Sequence, residues 1–136
     1  MSKEIQTRDV VFVSHANPED NDFALWVSLR LAAEGYAVWC DLTELLGGED
    51  FWKDIQNVLE TRTAKFLFVT SDTSTVKDGV LQELTVAKRV AKTNNLSDFV
   101  IPLHIDQCQT NIEISRINYI PFNESWAAGL AQLLKS

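Results

Sequence analysis

The sequence predicts an α/β fold, in which a five-stranded parallel sheet is doubly wound and carries helices on both faces. Three observations support this prediction. The 136 residues are 46% apolar with only 5 Gly and 3 Pro, a composition typical of one globular domain with a packed core. Short apolar runs alternate along the chain with longer segments of 3.6-residue period. The short runs lack a polar face, as do strands that are buried between two layers of helices.

The first strand and helix occupy residues 10–35. Residues 10–13 (VVFV) are a continuous apolar run and predict a strand. Asn17 is a favourable helix N-cap and Pro18 suits the first helical position, so the following helix is expected to begin directly after Asn17. Its apolar stripe falls at positions 23, 27 and 31, and Gly35 ends it.

The next two units repeat this pattern. Residues 37–40 (AVWC) predict the second strand, and a loop containing Gly47-Gly48 leads to a helix with an apolar face at Trp52, Ile55 and Leu59. Residues 66–69 (FLFV) predict the third strand, which a polar stretch at 71–75 connects to a third helix. The apolar side of that helix is formed by Val80, Leu84, Ala87 and Ala91.

Two further units complete the count. Residues 99–105 predict a fourth strand, although Pro102 removes one ladder donor and favours an edge or a bulge. A short strand near 117–120 and a helix with Trp126, Leu130 and Leu133 follow. Right-handed crossovers between five such units predict the flavodoxin-like strand order 2-1-3-4-5. Because no linker divides the chain, we expect one domain over residues 9–135.

Charge and composition exclude several classes of function. The chain has 19 acidic and 12 basic residues and no basic cluster, so we expect no direct binding to nucleic acid. Its longest apolar runs are far shorter than a membrane span, and its N-terminus has no signal-peptide core, so we expect a cytoplasmic protein without membrane contact. Cys40 and Cys108 have no CxxC spacing and only two His are present, which predicts neither disulfide framework nor metal site. A small phosphorylated molecule remains possible, because backbone amides at helix N-termini bind phosphate.

In this fold a ligand binds beyond the carboxyl ends of the strands, where the strand order reverses between strands one and three. That position selects Ser14, His15 and Ala16 after strand one, Asp41 after strand two, Ser71 and Ser74 after strand three, and Glu83 about one turn into the third helix. Each also has a purely structural interpretation. Glu83 is an acid of the kind that a helix N-terminus favours, and the other polar residues are ordinary turn and strand-end residues. Gly47-Gly48 is no phosphate loop, since GxxxxGK[ST] and GxGxxG are both absent.

Four segments in order resemble a Toll/interleukin-1 receptor (TIR) domain of bacterial type, and the resemblance covers residues 9–135. They are VVFVSHA (10–16), AVWCD (37–41), FLFVTS (66–71) followed by LQEL (81–84), and FNESW (122–126). The stretches SHANPEDNDFALW, YAVWCDL, DFWKDI and DGVLQELTVAKRV look closest to the TIR part of TIR-APAZ proteins, which accompany short prokaryotic Argonautes. There the TIR domain is an N-terminal module, which implies that this chain is one domain of a longer protein.

The resemblance implies an NAD+ glycohydrolase that cleaves the nicotinamide–ribose bond, with NAD+ as substrate and no cofactor. The family's catalytic acid, at the start of the third helix, corresponds to Glu83. Nicotinamide leaves as a neutral molecule, so the second carboxylate of an ordinary glycosidase is unnecessary. The resemblance further implies that Ser14, His15 and Ala16 line the nucleotide crevice. It also implies that Asp41 and the 42–50 loop close over the crevice, while Ser71 and Ser74 bond ribose or phosphate.

One position departs from the family pattern. Many catalytic TIR domains have a Trp four residues before the Glu, and here that position is Gly79. An aromatic contact to the substrate must then come from Trp39, from Phe51 or from a neighbouring protomer. We therefore expect an enzyme that is switched on by TIR–TIR homo-oligomerisation, in a defence system where an APAZ and Argonaute partner senses invading nucleic acid.

Three other functions are weighed against hydrolysis. A related TIR enzyme would release cyclic ADP-ribose, and a non-catalytic adaptor would use the 41–50 loop and its helix faces for TIR–TIR signalling. A phospho-receiver domain shares the strand order, but it predicts an Asp at the end of strand three and an acidic pair after strand one. Here strand three ends in Thr70-Ser71, and Ser14-His15 follow strand one. The sequence therefore disfavours the phospho-receiver.

Overall fold

A computed structural model of the chain describes residues 8–40, 57–106 and 119–135. Its strands are β1 (Val10–Ser14), β2 (Ala37–Cys40), β3 (Thr63–Thr70), β4 (Val100–His104) and β5 (Ile120–Pro121). The helices are α1 (Asn21–Ala33), α2 (residues 57–61), α3 (Asp78–Thr93) and α4 (Trp126–Leu134), with a 3-10 turn at Ser74–Val76. All strand pairs are parallel and the order is β2-β1-β3-β4-β5, which confirms the predicted fold class.

Two buried clusters place helices on both faces of the sheet. Val11 and Val13 face one cluster with residues of α1 and α4, among them Phe23 and Leu133. Phe12 lies on the opposite face with residues of α2 and α3. Because alternate β1 side chains enter different clusters, both faces of the strand must be apolar, and residues 10–13 of β1 are apolar without exception.

The start of α1 differs from the sequence prediction. The helix begins at Asn21 with Asp20 at the N-cap position, three residues later than Asn17 and Pro18 suggested. The Asp20 amide donates to the Ala16 carbonyl at 2.8 Å, so residues 16–20 form a turn of their own. Side chains reinforce this turn, since Asn21 Nδ2 donates to Asn17 Oδ1 at 3.3 Å. The other end is as predicted, with Gly35 at a φ of 98°.

Pro102 lies in an inner strand, so the suggested edge position is wrong. It stands in register with Phe68 of β3, and β4 lies between β3 and β5. The Ile105 amide donates to β3 at Thr70, whereas the carbonyl of His104 accepts from Phe122 beyond β5. Since hydrogen-bonding groups alternate sides along a strand, the nitrogen of Pro102 points toward the β5 side. Pairing with β5 begins only at Leu103, so the missing N–H costs no ladder bond there.

Candidate functional site

The predicted switch point brings Ser14 and Glu83 together. Ser14 ends β1, pairs in register with Phe68 of β3, and is 1% exposed. Glu83 lies half-buried in the second turn of α3, between the buried residues Val80 and Leu84. The Ser14 hydroxyl donates to Glu83 Oε1 at 2.6 Å, although the two residues are 69 positions apart.

This contact is a short hydrogen bond to an acidic group. A distance of 2.6 Å between oxygens is typical of a hydroxyl bonded to a carboxylate, and such bonds are about twice as strong as neutral ones. The site thus holds an acidic side chain at the reversal of strand order, bonded to the end of β1.

His15 and Ala16 are also at the end of β1, but their described contacts are structural. His15 is 7% exposed, and its Nε2 lies 2.8 Å from Asn21 Oδ1, so the ring joins the end of β1 to the start of α1. Ala16 is fully buried in the α3-side cluster. Its small side chain allows the chain to turn close beneath α3.

Ser71 and Ser74 form a closed motif after β3. The Ser71 amide donates to Ser74 Oγ at 2.8 Å, and the Ser74 amide donates to Ser71 Oγ at 3.0 Å. Ser71 Oγ also donates to Asp20 Oδ2 at 2.6 Å. Both serines are buried, and these contacts connect the β3 loop to the turn before α1.

Asp20 is a residue of this region that the sequence pattern did not single out. Burial raises the pKa of its carboxyl, an effect that the Ser71 hydrogen bond and the nearby His15 oppose and that Asp106 reinforces. Asp106 follows β4 and accepts a hydrogen bond from the Asp72 amide at 3.2 Å. Asp20 and Asp106 thus lie near each other, joined through Ser71 and Asp72 of the loop that follows β3.

Lys77 is a second residue that the sequence pattern did not single out. It connects the turn of residues 16–20 to the start of α3 through hydrogen bonds. Its ammonium donates to the Asn17 carbonyl and to Glu19 Oε1, the latter at 2.8 Å. The hydrogen bond from Lys77 is the main cause that lowers the pKa of Glu19. No local pattern could reveal this contact, because 60 positions separate Lys77 from Asn17.

Trp39 is the described candidate for the expected aromatic contact with the substrate. Trp39 is half-buried opposite Phe12 and packs against the α3-side cluster. Its Nε1 is buried and has no hydrogen-bond partner among the residues that the structure describes. Asp41 and Phe51 lie outside the described residues. At Gly79, where the family resemblance leads us to expect Trp, an added Cβ would meet no atom of the described residues within 4 Å.

Neither a metal-binding cluster nor a membrane-spanning helix is present in the part of the chain that the structure describes. Residues 8–40, 57–106 and 119–135 contain no group of three or more His, Cys, Asp or Glu that could hold a metal ion. In the same ranges, every helix is too short or too polar to cross a membrane.

The fold and the site define a doubly wound α/β domain with an acidic side chain at the switch point of its parallel sheet. The chain belongs to the TIR domain family, whose model matches residues 11–134. A curated relative, the uncharacterized protein y4cD of Sinorhizobium fredii (strain NBRC 101917 / NGR234), is 31% identical over 127 residues. That match covers 93% of this chain but 20% of y4cD, so the chain spans about a fifth of its relative's length.

Solved structures support the same fold. The TIR domains of the activated Roq1 resistosome, which directly recognizes the pathogen effector XopQ, match with a TM-score of 0.75. That match covers 93% of this chain and 97% of the other, at 15% identity. The TIR domain of the Toll-related receptor TRR-2 from Hydra magnipapillata matches with a TM-score of 0.72 and 16% identity, covering 92% of this chain and 94% of the other. Similarity at this level of identity establishes the fold alone.

Proposed function

We propose that this TIR domain is an NAD+ glycohydrolase that cleaves the nicotinamide–ribose bond, with Glu83 as its catalytic residue. The observation that carries the proposal is the Ser14–Glu83 hydrogen bond, which holds a carboxylate at the switch point of the sheet. The acid that the family resemblance selects is thus the acid found beside the end of β1.

The chemistry suits a single carboxylate. The bond between ribose C1′ and the pyridinium nitrogen breaks, and its electron pair leaves with neutral nicotinamide. Water then adds to C1′ and loses a proton, which gives ADP-ribose. An ionised Glu83 stabilises the positive charge that develops on the ribose and accepts hydrogen bonds from its hydroxyls. Attack by the adenine base in place of water would give cyclic ADP-ribose.

The remaining parts of the proposal concern the setting. We infer that activity needs TIR–TIR association, because Gly79 supplies no aromatic side chain and a neighbouring protomer could do so. The TIR domains of the Roq1 resistosome, which belong to an activated assembly, support this inference. We further propose a cytoplasmic role in prokaryotic defence, with an APAZ region and a short Argonaute as partners.

The test compares Glu83→Gln with wild type. A terminally His-tagged chain is assayed free and at high density on nickel-chelating liposomes, and chromatography follows NAD+, nicotinamide, ADP-ribose and cyclic ADP-ribose. We expect turnover on liposomes and a loss of at least about 100-fold in Glu83→Gln, the usual cost of removing a group that stabilises transition-state charge. Glu60→Gln is the matched control, since Glu60 is an exposed acid paired with Arg89. An equal rate in wild type and Glu83→Gln would refute the catalytic assignment.

The adaptor function is the second candidate, and the glycine at position 79 is the observation that favours it. An adaptor would associate on liposomes without consuming NAD+. Crosslinking of the bound chain, measured beside the turnover assay, distinguishes the two functions.

A further inference from the structure

Ser14 was expected to line the nucleotide crevice, but its surroundings suit a different role. Its side chain is 1% exposed, and its hydroxyl is within 2.6 Å of Glu83 Oε1. A hydroxyl so deeply buried and already bonded to an acid presents almost no surface to an incoming ligand. Its described contact is with the carboxylate.

We propose that Ser14 is a positioning residue: its hydroxyl fixes the Glu83 carboxylate in its reactive orientation and does not itself bind the NAD+ ribose. This inference rests on the proposed function, because it assigns Ser14 a part in the work of Glu83. It differs from the role that the family resemblance suggested, in which Ser14 contacts the substrate.

Ser14 and Glu83 differ in rigidity, and this difference explains why Glu83 benefits from a positioning residue. Ser14 ends the inner strand β1, which pairs with β2 on one side and with β3 on the other. Glu83 carries its carboxylate at the end of three rotatable bonds and is only half-buried. Hydrogen bonding to β1 transfers the rigidity of the sheet to the carboxylate. Catalytic groups need support of this kind, since small errors in orientation cost large factors in rate.

The direction of the hydrogen bond also suits the proposed chemistry. An ionised carboxylate only accepts hydrogen bonds, so the Ser14 hydroxyl must donate. It thereby favours the anion, which is the form that stabilises a positive ribose. A carboxylate has about four acceptor positions, so a bond from Ser14 is compatible with bonds from ribose hydroxyls.

The experiment compares three substitutions of Ser14 in the 136-residue chain bound to nickel-chelating liposomes. Ser14→Thr keeps the hydroxyl, and Ser14→Val has nearly the same shape without it. Both are β-branched and suit a strand. Ser14→Ala removes the hydroxyl without adding volume, and it decides the question if the two larger side chains unfold the protein. Thermal unfolding of each variant identifies such a case.

We expect kcat to fall about 10- to 100-fold in Ser14→Ala and Ser14→Val, with KM changed by less than about threefold, because the lost interaction acts on the transition state. Ser14→Thr should keep most of the activity. Binding of carba-NAD+, an analogue that cannot be cleaved, should be unchanged in Ser14→Ala when measured by calorimetry. In a Glu83→Gln background, Ser14→Ala should cause no further loss.

Two results would overturn the role of Ser14 and leave the proposed function of Glu83 intact. One is a wild-type kcat in Ser14→Ala while Glu83→Gln is inactive. The other is a loss that appears in KM and in carba-NAD+ affinity, which would make Ser14 a substrate contact. Failure of the proposed function has a different signature, namely no NAD+ loss by the wild-type chain on liposomes or no effect of Glu83→Gln. In that case both proposals are wrong.

Discussion

Gly129 lies where α4 passes over the ring of Phe122. Replacing this glycine with Ala has two opposing effects on the free energy of unfolding, a gain in helix propensity and a loss through steric overlap. Ala is a better helix former than Gly by about 1 kcal/mol. An added Cβ, however, would lie 2.5 Å from Phe122 Cδ2, 2.6 Å from Cγ and 2.8 Å from Cδ1. Carbon atoms in contact normally lie about 3.5–4.0 Å apart, so the overlap is about 1 Å at three ring atoms.

The ring has little room to move away. Phe122 is fully buried, and its amide donates to the His104 carbonyl at 2.7 Å. Phe23 packs edge-on against it with ring centroids 5.0 Å apart. Overpacking costs about 1–3 kcal/mol, and close contacts with three atoms of a confined ring place this substitution at about 2–3 kcal/mol. After the gain of about 1 kcal/mol in helix propensity is subtracted, we expect a net loss of about 1–2 kcal/mol, or about 3–7 °C in Tm for a domain of this size.

Gly79→Ala is the matched control, because it is also helical and its added Cβ would meet no atom of the described residues within 4 Å. We expect this variant to be as stable as wild type or more stable by up to about 1 kcal/mol. Urea unfolding and calorimetry of both variants measure the difference. If Gly129→Ala were at least as stable as wild type, the close packing of α4 on Phe122 would be wrong. Adding Phe122→Leu to Gly129→Ala should restore part of the loss, since a smaller side chain relieves the overlap.

Two predictions concern pH. Burial raises the pKa of Asp20 above its ordinary value of 3.8, so the folded state holds this proton more tightly than the unfolded state. Falling pH therefore adds stability until the pH reaches that ordinary value. Asp20→Asn removes this gain, so urea midpoints should show wild type improving relative to the variant as the pH falls from about 7 toward about 4. A constant difference would contradict the assignment. Burial lowers the pKa of His104 below 6.5, so as pH falls through 6.5 the unfolded state takes up its proton first and the folded state loses stability. His104→Phe keeps the stacking on Tyr119, whose ring centroid is 3.9 Å away. This variant should lose less stability than wild type as the pH falls from about 7.5 to about 5.5. If the urea midpoints of the two proteins fell in parallel with pH, His104 would be excluded as the cause.

The strands and their order were predictable because the hydrophobic pattern of this chain is simple. Residues 10–13 of β1 and the four residues of β2 are short apolar runs between polar residues, the pattern that predicts strands in a doubly wound sheet. Glu83 and Ser14 could be selected for the same reason, since topology places the ends of β1 and β3 side by side. Their hydrogen bond follows from the fold and not from any local motif.

The start of α1 could not be predicted, because tertiary contacts override the local pattern that favours a helix start at Asn17 and Pro18. Asn17 and Pro18 form a good helix start in isolation, but in the folded chain Lys77 bonds the Asn17 carbonyl and Ser71 bonds the Asp20 carboxyl. These two contacts come from residues more than 50 positions away. Periodicity over a window of 10–18 residues contains no information about them.

The separation of 69 positions between Ser14 and Glu83 also sets when the site can exist. A ribosome completes β1 early, but the carboxylate arrives only after β2 and β3 have been made and α3 has begun. Loops of that length close late, once the intervening strands have docked. A polypeptide released before residue 83 contains Ser14 without its partner and holds no assembled site. If the domain consumes NAD+ as proposed, prematurely terminated copies spare the cell that makes them.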